Sequence, residues 1–469
     1  MTYFFETYGC QMNSAESAAL ALVLRERGWS AAENGESADL VLLNTCSVRQ
    51  TAEQRVMGRL AQYQALKKKR RGLGQAFTLI VAGCMAERLG DSLREKFNAV
   101  DYVMGTAARS VFPVILEILE KGQTSGLMST ALLTGEKPRF SFSASHLEEG
   151  PAGQTPFSSF VPIMHGCNNY CSYCIVPYVR GREISRNPAA IMEEIRLLGE
   201  RGIRAITLLG QNVNSYRFDD GAGGVTDFPA LLELAVRETE KSPIRWIRFL
   251  SSHPKDLSPQ AIRVMADHPV FCRHLHLCVQ HGSNVVLAAM NRRYTREQYL
   301  ELVDALRQAM PGITLSTDIL VGFPGETEED LERTLDLMER VKFHYAYMYH
   351  YSPREGTAAY DLPGRIGEEV KRERLARVIA LQKKHTQELL KQRIGSRETI
   401  LIEGISRKNA DELIGRTERD EMVAVPGTST AAGSFVQVSL SSLRGNTFRG
   451  VMCSNHRTKE ELFYALATD

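Results

Sequence analysis

Cys167, Cys171 and Cys174 stand in a C-x3-C-x2-C arrangement, inside the run His165-Gly-Cys-Asn-Asn-Tyr-Cys-Ser-Tyr-Cys. Thiolate is the natural ligand of iron–sulfur clusters. This spacing lets one loop wrap three corners of a cubane and leaves the fourth iron without a protein ligand. That iron is then free to chelate the amino and carboxylate groups of S-adenosylmethionine. The competing readings are a zinc site and buried inert thiols. Zinc sites usually draw four ligands from C-x2-C pairs, and no pair completes this one.

A second set is spread over the first 84 residues. Cys10, Cys46 and Cys84 occur as YGC, NTC and AGC, each after an apolar run that reads as a buried strand. In a parallel sheet such strand ends share one edge, so ligands distant in sequence can converge. Two readings stand here: a second cluster with three protein ligands, or three unrelated buried cysteines, which are common in strands. The nine cysteines are an odd number in a long chain whose start, MTYFFETYGCQMN, carries no basic and apolar leader. Metal ligation or catalysis is therefore expected ahead of disulfides, together with a cytoplasmic location and no membrane partner.

The elements that must position these residues follow from the pattern of the 469 residues. Over 1–122, the runs TYFFETYG, DLVLLNT and FTLIVAG alternate with helical stretches at Ser14–Gly28 and Thr51–Leu66. This predicts a small doubly wound α/β layer. Residues 123–156, rich in Gly, Ser, Thr and Pro, read as a linker. Over 157–390 the strands VPIMHG, AITLLGQ, IRWIRFLS, HLHLCVQ, ITLSTDILVG and FHYAYMYHYS alternate with helices. Asn187-Pro188, Ser258-Pro259 and Thr327-Glu328-Glu329 mark helix starts. Six such units predict an open, partial (β/α)6 barrel with its site at the C-terminal strand ends. Over 393–456, short strands broken by Gly, Pro and Ser predict a small antiparallel β-barrel, suited to RNA or to dimerisation and packing. A net charge of +2 with 24% charged residues neither demands nor excludes a nucleic-acid partner.

At the barrel's strand ends, Gly210 and Gln211, Ser251, Gln280, Asp318 and Gly322, with Tyr173 beside Cys174, are candidates to bind S-adenosylmethionine. The glycines would permit backbone to approach an adenine closely. Arg180, Arg182, Arg186, Arg292 and Arg293 are candidate phosphate contacts. The run Lys67–Arg71 is another, with a solvated charge cluster as its plainer reading. Phe343, Tyr345, Tyr347, Tyr349 and Tyr351 share one strand face by period two. Packing of that face against flanking helices is expected, and only Tyr351 is placed to stack on a flipped-out base.

The motifs YGCQMNSAES (8–17), NTCSVR (44–49), AGCMAER (82–88), GCNNYCSYCIVPYVRGREISR (166–186), LLGQNVNSY (208–216) and STDILVGFPGET (316–327) resemble the methylthiotransferase family of radical S-adenosylmethionine enzymes. The resemblance covers nearly the whole chain. It implies two [4Fe-4S] clusters, the second an auxiliary cluster on Cys10, Cys46 and Cys84, and a C-terminal RNA-binding TRAM domain. The forms YGCQMN and GQNVNSY look most like the MiaB-type tRNA branch. That branch implies 2-methylthiolation of N6-isopentenyladenosine in tRNA beside the anticodon. Sulfur would come from the auxiliary cluster and the methyl group from a second S-adenosylmethionine. An electron donor such as flavodoxin or ferredoxin, and sulfur or Fe–S delivery proteins, are implied partners. Rival substrates are a ribosomal-protein aspartate and threonylcarbamoyladenosine in tRNA. A non-catalytic RNA-binding protein is a further rival. The run HLHLCVQHGS departs from the family pattern, which has Pro near Cys278. Cys272 and Cys278 are read as structural thiols, and Cys453 is assigned no role.

Overall fold

The computed structural model describes residues 1–47, 50–122, 157–427 and 429–453. The expected linker over 123–156 lies outside them. Residues 1–122 form a five-stranded, all-parallel sheet from β1 (Thr2–Thr7), β2 (Ser30–Ala31), β3 (Leu40–Thr45), β4 (Thr78–Gly83) and β5 (Tyr102–Met104). The order is β2-β1-β3-β4-β5, that of a doubly wound sheet. Alternation of side chains divides its core in two. Leu40, Leu42 and Ile80 pack with Leu20, Leu24, Phe112 and Ile115 on one face. Val41, Leu43, Leu79 and Val81 pack with Val56, Leu60 and Tyr63 on the other. The helix Gln50–Gly72 runs beyond the expected Leu66 and takes up the basic run as its last turn. Cations there suit the helix C-terminus. Lys67 reaches both Asp101 carboxylate oxygens at 2.5 Å and Arg70 bonds the Ala38 carbonyl, while Lys68, Lys69 and Arg71 remain exposed.

The middle region carries six parallel strands: β6 (Ser158–Pro162), β9 (Ala205–Leu209), β12 (Trp246–Phe249), β13 (His274–His276), β14 (Thr314–Val321) and β15 (Tyr345–His350). Two minor pairs, β7 (Met164–His165) with β8 (Ile184–Ser185) and β10 (Arg217–Asp219) with β11 (Val225–Asp227), decorate its loops. The ladders β12-β9-β6 and β13-β14-β15 join through the bridges Ile247–Phe271 and Ser252–Leu277, giving one open barrel. The helix starts expected from sequence are present. Asn187 accepts from the Ala189 amide, Ser258 from Ala261, and Thr327 forms a capping box with Asp330. Each cap contributes about 1 kcal/mol. No helix among the described residues is long and apolar enough to cross a membrane.

The C-terminal strands β16 (Arg397–Ser406), β17 (Asn409–Thr417), β18 (Met422–Pro426), β19 (Phe435–Arg444) and β20 (Thr447–Met452) close into a barrel of order β16-β17-β18-β20-β19. Ile400, Ile402, Val423, Val438 and Phe448 fill it. It docks beneath the larger barrel, at the N-terminal ends of the parallel strands. There Trp246 meets Phe435 edge to face at 4.9 Å, and Cys272 is buried with Trp246 and Leu401. The Arg248 guanidinium donates to the Thr417 carbonyl at 2.9 Å.

Candidate active site

Opposite that end, the C-terminal strand ends gather the residues singled out for chemistry. The loop from His165 to Cys174 has one turn of its own, Cys174 N–H to the Cys171 carbonyl at 2.9 Å, and is otherwise held by neighbours. Gly166 N–H donates to Gln211 Oε1 at 2.6 Å, Ser172 N–H to the Met290 carbonyl at 3.0 Å, and Asn291 Nδ2 to the Tyr170 carbonyl at 2.9 Å. The Arg292 guanidinium donates to Cys171 Sγ at 3.3 Å. Burial pushes the Cys167 thiol up to about 11 and the Cys174 thiol up to about 12. Thiols so desolvated become anions when a cation binds them. Three sulfurs in one loop, with a guanidinium aimed at one of them, fit an iron–sulfur cluster.

Cys10, Cys46 and Cys84 follow the C-terminal ends of β1, β3 and β4, on one edge of the parallel sheet. Glycine brings these ends together. A Cβ on Gly9 would meet Cys46 Cβ at 2.6 Å, and one on Gly83 would meet the Thr45 carbonyl at 2.5 Å. Burial pushes the Cys84 thiol up to about 12, against the opposing charge of Arg180.

The α/β layer lies over the barrel mouth. Met12 and Ala15 of the helix Gln11–Glu26 pack on Leu209 and Leu250, and across the mouth Arg354 pairs with Glu53 at 3.4 Å. Cys84 itself packs against Ile175 and Val179, which follow Cys174 directly. The helix Val176–Arg180 thus separates the two cysteine sets. At its end Arg180 bonds Glu16 at 2.7 Å and Asn13 Oδ1 at 3.1 Å, with His165 Nδ1 at 3.4 Å. Asn13 also receives the Cys10 thiol at 3.6 Å.

Several expected contacts change in this light. Arg180, Arg186 and Arg292 are buried, and their guanidinium groups are taken by Glu16, by Glu194, and by Cys171 with the Cys278 carbonyl. They are not phosphate contacts, because a guanidinium enclosed with its partner presents no face to RNA. Arg182 and Arg293 are exposed. Gly210 and Gly322 do not make room for an adenine. A Cβ on Gly210 would strike Met164 Cγ at 2.4 Å, and one on Gly322 would strike Lys371 Cγ at 2.6 Å. Gln211 is engaged with the cysteine loop. Tyr173 is half-buried against the Phe323 and Tyr351 cluster. Ser251 and Gln280 end their strands at φ 64° and 70°. Non-glycine residues held there store strain, as functional sites often do. Buried polar atoms without a protein partner gather at the same rim, namely Asn212 Oδ1, both Asn214 amide atoms, Ser252 Oγ and His253 Nε2. Burial, then the positive charge of Arg292, lowers His253 to about 2, so it is a neutral imidazole. These groups suit an amino-acid-bearing nucleoside such as S-adenosylmethionine. In sequence they are ordinary loop residues, and only Asn212, Ser252 and His253 stand in runs read as strand ends.

The tyrosine strand faces the lumen, not the flanking helices. Ala346 and Met348 pack outward on the barrel core, while Tyr345 stacks on His274 and Tyr347 meets His276 edge-on at 5.7 Å. Tyr347 and Tyr349 are 48% and 39% exposed. Tyr351, the residue expected to stack on a base, is buried and donates its hydroxyl to the Ala359 carbonyl.

Residues 161–338 match the Radical SAM superfamily, 2–105 the uncharacterized protein family UPF0004, and 391–452 the TRAM domain. A protein of Treponema pallidum (strain Nichols), named tRNA-2-methylthio-N(6)-dimethylallyladenosine synthase, is 51% identical over 462 residues, covering 96% of this chain and 98% of its own. Proteins of the same name from Treponema denticola and Bacteroides fragilis (strain ATCC 25285) are 50% and 42% identical. They cover 96% and 95% of this chain, and 99% and 94% of their own lengths. Among solved structures, the radical S-adenosylmethionine methyltransferase TsrM from Kitasatospora setae, with cobalamin and a [4Fe-4S] cluster bound, is similar with TM-score 0.58. It is 16% identical, and the match covers 76% of this chain and 77% of that one. That likeness concerns the fold.

Proposed function

Because the chain belongs to the tRNA-2-methylthio-N(6)-dimethylallyladenosine synthase family of radical S-adenosylmethionine enzymes, we propose that it replaces the C2 hydrogen of N6-isopentenyladenosine, beside the anticodon of a tRNA, with a methylthio group. The observation that carries this reading is that Cys84 of one set packs on Ile175 and Val179, just past Cys174 of the other, where the α/β layer lies over the barrel mouth. In this reading Cys167, Cys171 and Cys174 hold one [4Fe-4S] cluster, and Cys10, Cys46 and Cys84 hold the auxiliary one. Clusters and S-adenosylmethionine bound there supply the radical that removes the C2 hydrogen and the sulfur and methyl group that replace it. The chain's own residues do the positioning. Arg292 places a positive donor on the Cys171 sulfur. Asn214, Ser252, the neutral His253, Ser251 and Gln280 line the cofactor's side of the rim. The layer above the mouth limits water at the reacting carbon. Arg182 and Arg293 meet backbone phosphates, adding affinity and salt dependence without base choice. Flavodoxin- or ferredoxin-class donors and sulfur-delivery proteins, acting in the cytoplasm, belong to the same reading.

Anaerobically reconstituted protein given reductant, S-adenosylmethionine and isopentenylated tRNA should yield the 2-methylthio nucleoside by mass spectrometry. Methylthiolation of threonylcarbamoyladenosine tRNA or of a ribosomal-protein aspartate instead, with this tRNA untouched, would overturn the reading. Tyr347 is the exposed lumen ring best placed to stack on the target base. Base–aromatic stacking contributes about 1–3 kcal/mol. Tyr347→Ala should therefore raise KM for tRNA about ten- to a hundredfold, with Tyr347→Phe near wild type. Equal KM values for wild type and Tyr347→Ala would remove the ring from the site.

A further inference from the structure

The barrel lumen holds a third constellation that neither cysteine set uses. His276 ends β13, Cys278 lies two residues beyond it, and Asp318 joins them from the adjacent β14. One donor atom from each lies within 4.8 Å of the other two, with His276 Nε2 3.4 Å from Asp318 Oδ2. Sequence reading places Cys278 with Cys272 as a structural thiol. Cys272 has apolar neighbours, but Cys278 faces an imidazole and a carboxylate.

We propose that His276, Cys278 and Asp318 form a binding site for one divalent transition-metal ion of the zinc or ferrous class, with its fourth position open to the lumen. Nitrogen, sulfur and oxygen donors in one set suit such an ion and exclude magnesium and calcium, which take oxygen alone. Three protein ligands and an open position are the usual plan of a reactive site. A thiolate and a carboxylate balance the charge of a divalent ion, so the filled site adds no net charge to the lumen. Side-chain exposures of 11% for His276 and 26% for Asp318 leave the lumen face reachable.

What surrounds the ligands supports this more strongly than their proximity does. A metal-binding histidine is normally oriented by a hydrogen bond at its other ring nitrogen. His276 Nδ1 lies 2.9 Å from Ser316 Oγ, which turns Nε2 toward Asp318. The same hydroxyl lies 2.9 Å from His274 Nε2, and that nitrogen is 3.0 Å from the Tyr345 hydroxyl, which donates to Asp420 at 2.6 Å. The orientation of His276 is thus anchored in the C-terminal barrel. The Cys278 backbone is pinned as well. Its N–H donates to the Ser252 carbonyl at 3.2 Å, and its carbonyl accepts from Arg292 at 2.6 Å.

The test uses cluster-reconstituted enzyme, gel-filtered anaerobically and titrated with Co2+ in the absence of tRNA. The cobalt K edge lies apart from the iron edge, so its fine structure reports the shell around the added ion. One cobalt per chain is expected, with a single sulfur in a shell otherwise of nitrogen and oxygen. Cys278→Ala should lose that sulfur and weaken binding at least tenfold. Ser316→Ala, which removes no ligand, should weaken it about 10- to 100-fold. Iron content checks that each variant keeps its clusters, and Asp318→Asn serves if Cys278→Ala does not fold. No cobalt retained, a shell without sulfur, or a multi-sulfur shell unchanged in Cys278→Ala (cobalt in a cluster) would each overturn the proposal. The methylthiolation assay stands apart from this readout, so either reading can fail alone.

Discussion

Replacing Cys10, Cys46 and Cys84 together with alanine is expected to abolish methylthiolation while S-adenosylmethionine cleavage continues. The two sets are physically separable. The first sits in a loop bound to the barrel through Gln211, Met290 and Arg292, and none of those bonds passes through the α/β layer. The second sits at three sheet ends whose approach is set by glycines and by β3, which is buried along its length. Losing three small sulfurs there leaves both sheet cores intact, because neither includes them in its packing. Iron should fall from about eight to about four per chain, following the cluster ligation pattern. The converse variant, alanine at Cys167, Cys171 and Cys174, should lose cleavage and product together. Product formation that survives the first variant would remove the second set from sulfur insertion. Loss of cleavage in the first variant, with iron still near four, would show that the sets are coupled and not separable as argued.

How legible each part is in the sequence depends on how locally it is encoded. The C-x3-C-x2-C loop is contained in eight residues, and the alternation of strand and helix suffices to put the other three cysteines at strand ends. Strands β2 and β5, two and three residues long, carry too little pattern to be read. The tyrosine face shows a different limit. Period two says that Tyr345, Tyr347 and Tyr349 share a side, but only the curvature of the barrel says which side, and it reverses the expectation for Tyr351. Arg180, Arg186 and Arg292 mislead because a guanidinium in a motif looks the same whether its partner is a phosphate or a buried acceptor of the protein itself. For Arg180 that partner lies 164 residues earlier. The polar setting of Cys278 is not legible in sequence, since its carboxylate neighbour comes from another strand.

Arg180→Ala should be the most damaging single substitution outside the ligand sets. Arg180 and Glu16 are 3% and 4% exposed, and they tie the α/β layer to the helix that separates the two cysteine sets. Removing the guanidinium takes its buried ion-pair partner from Glu16, and breaking such a pair costs about 3–5 kcal/mol. Denaturant unfolding should show that loss, with faster amide exchange in Gln11–Glu26 and Val176–Arg180. Replacing both partners, as Arg180→Met with Glu16→Leu, removes the buried charge together with its counter-ion and should recover most of the stability. It should not recover iron at the second site. Although burial opposes it, the charges of Cys84, Glu16 and Cys10 hold the Arg180 pKa well above its usual value. The reciprocal effect of the guanidinium is to favour the thiolate of Cys84, the form that binds metal. The double variant should therefore fold near wild type, cleave S-adenosylmethionine, and hold about four irons by the same ligation count. If it regains both stability and eight irons, the guanidinium is a structural tie alone. If it is no more stable than Arg180→Ala, the buried Glu16 charge is not what destabilises the single variant.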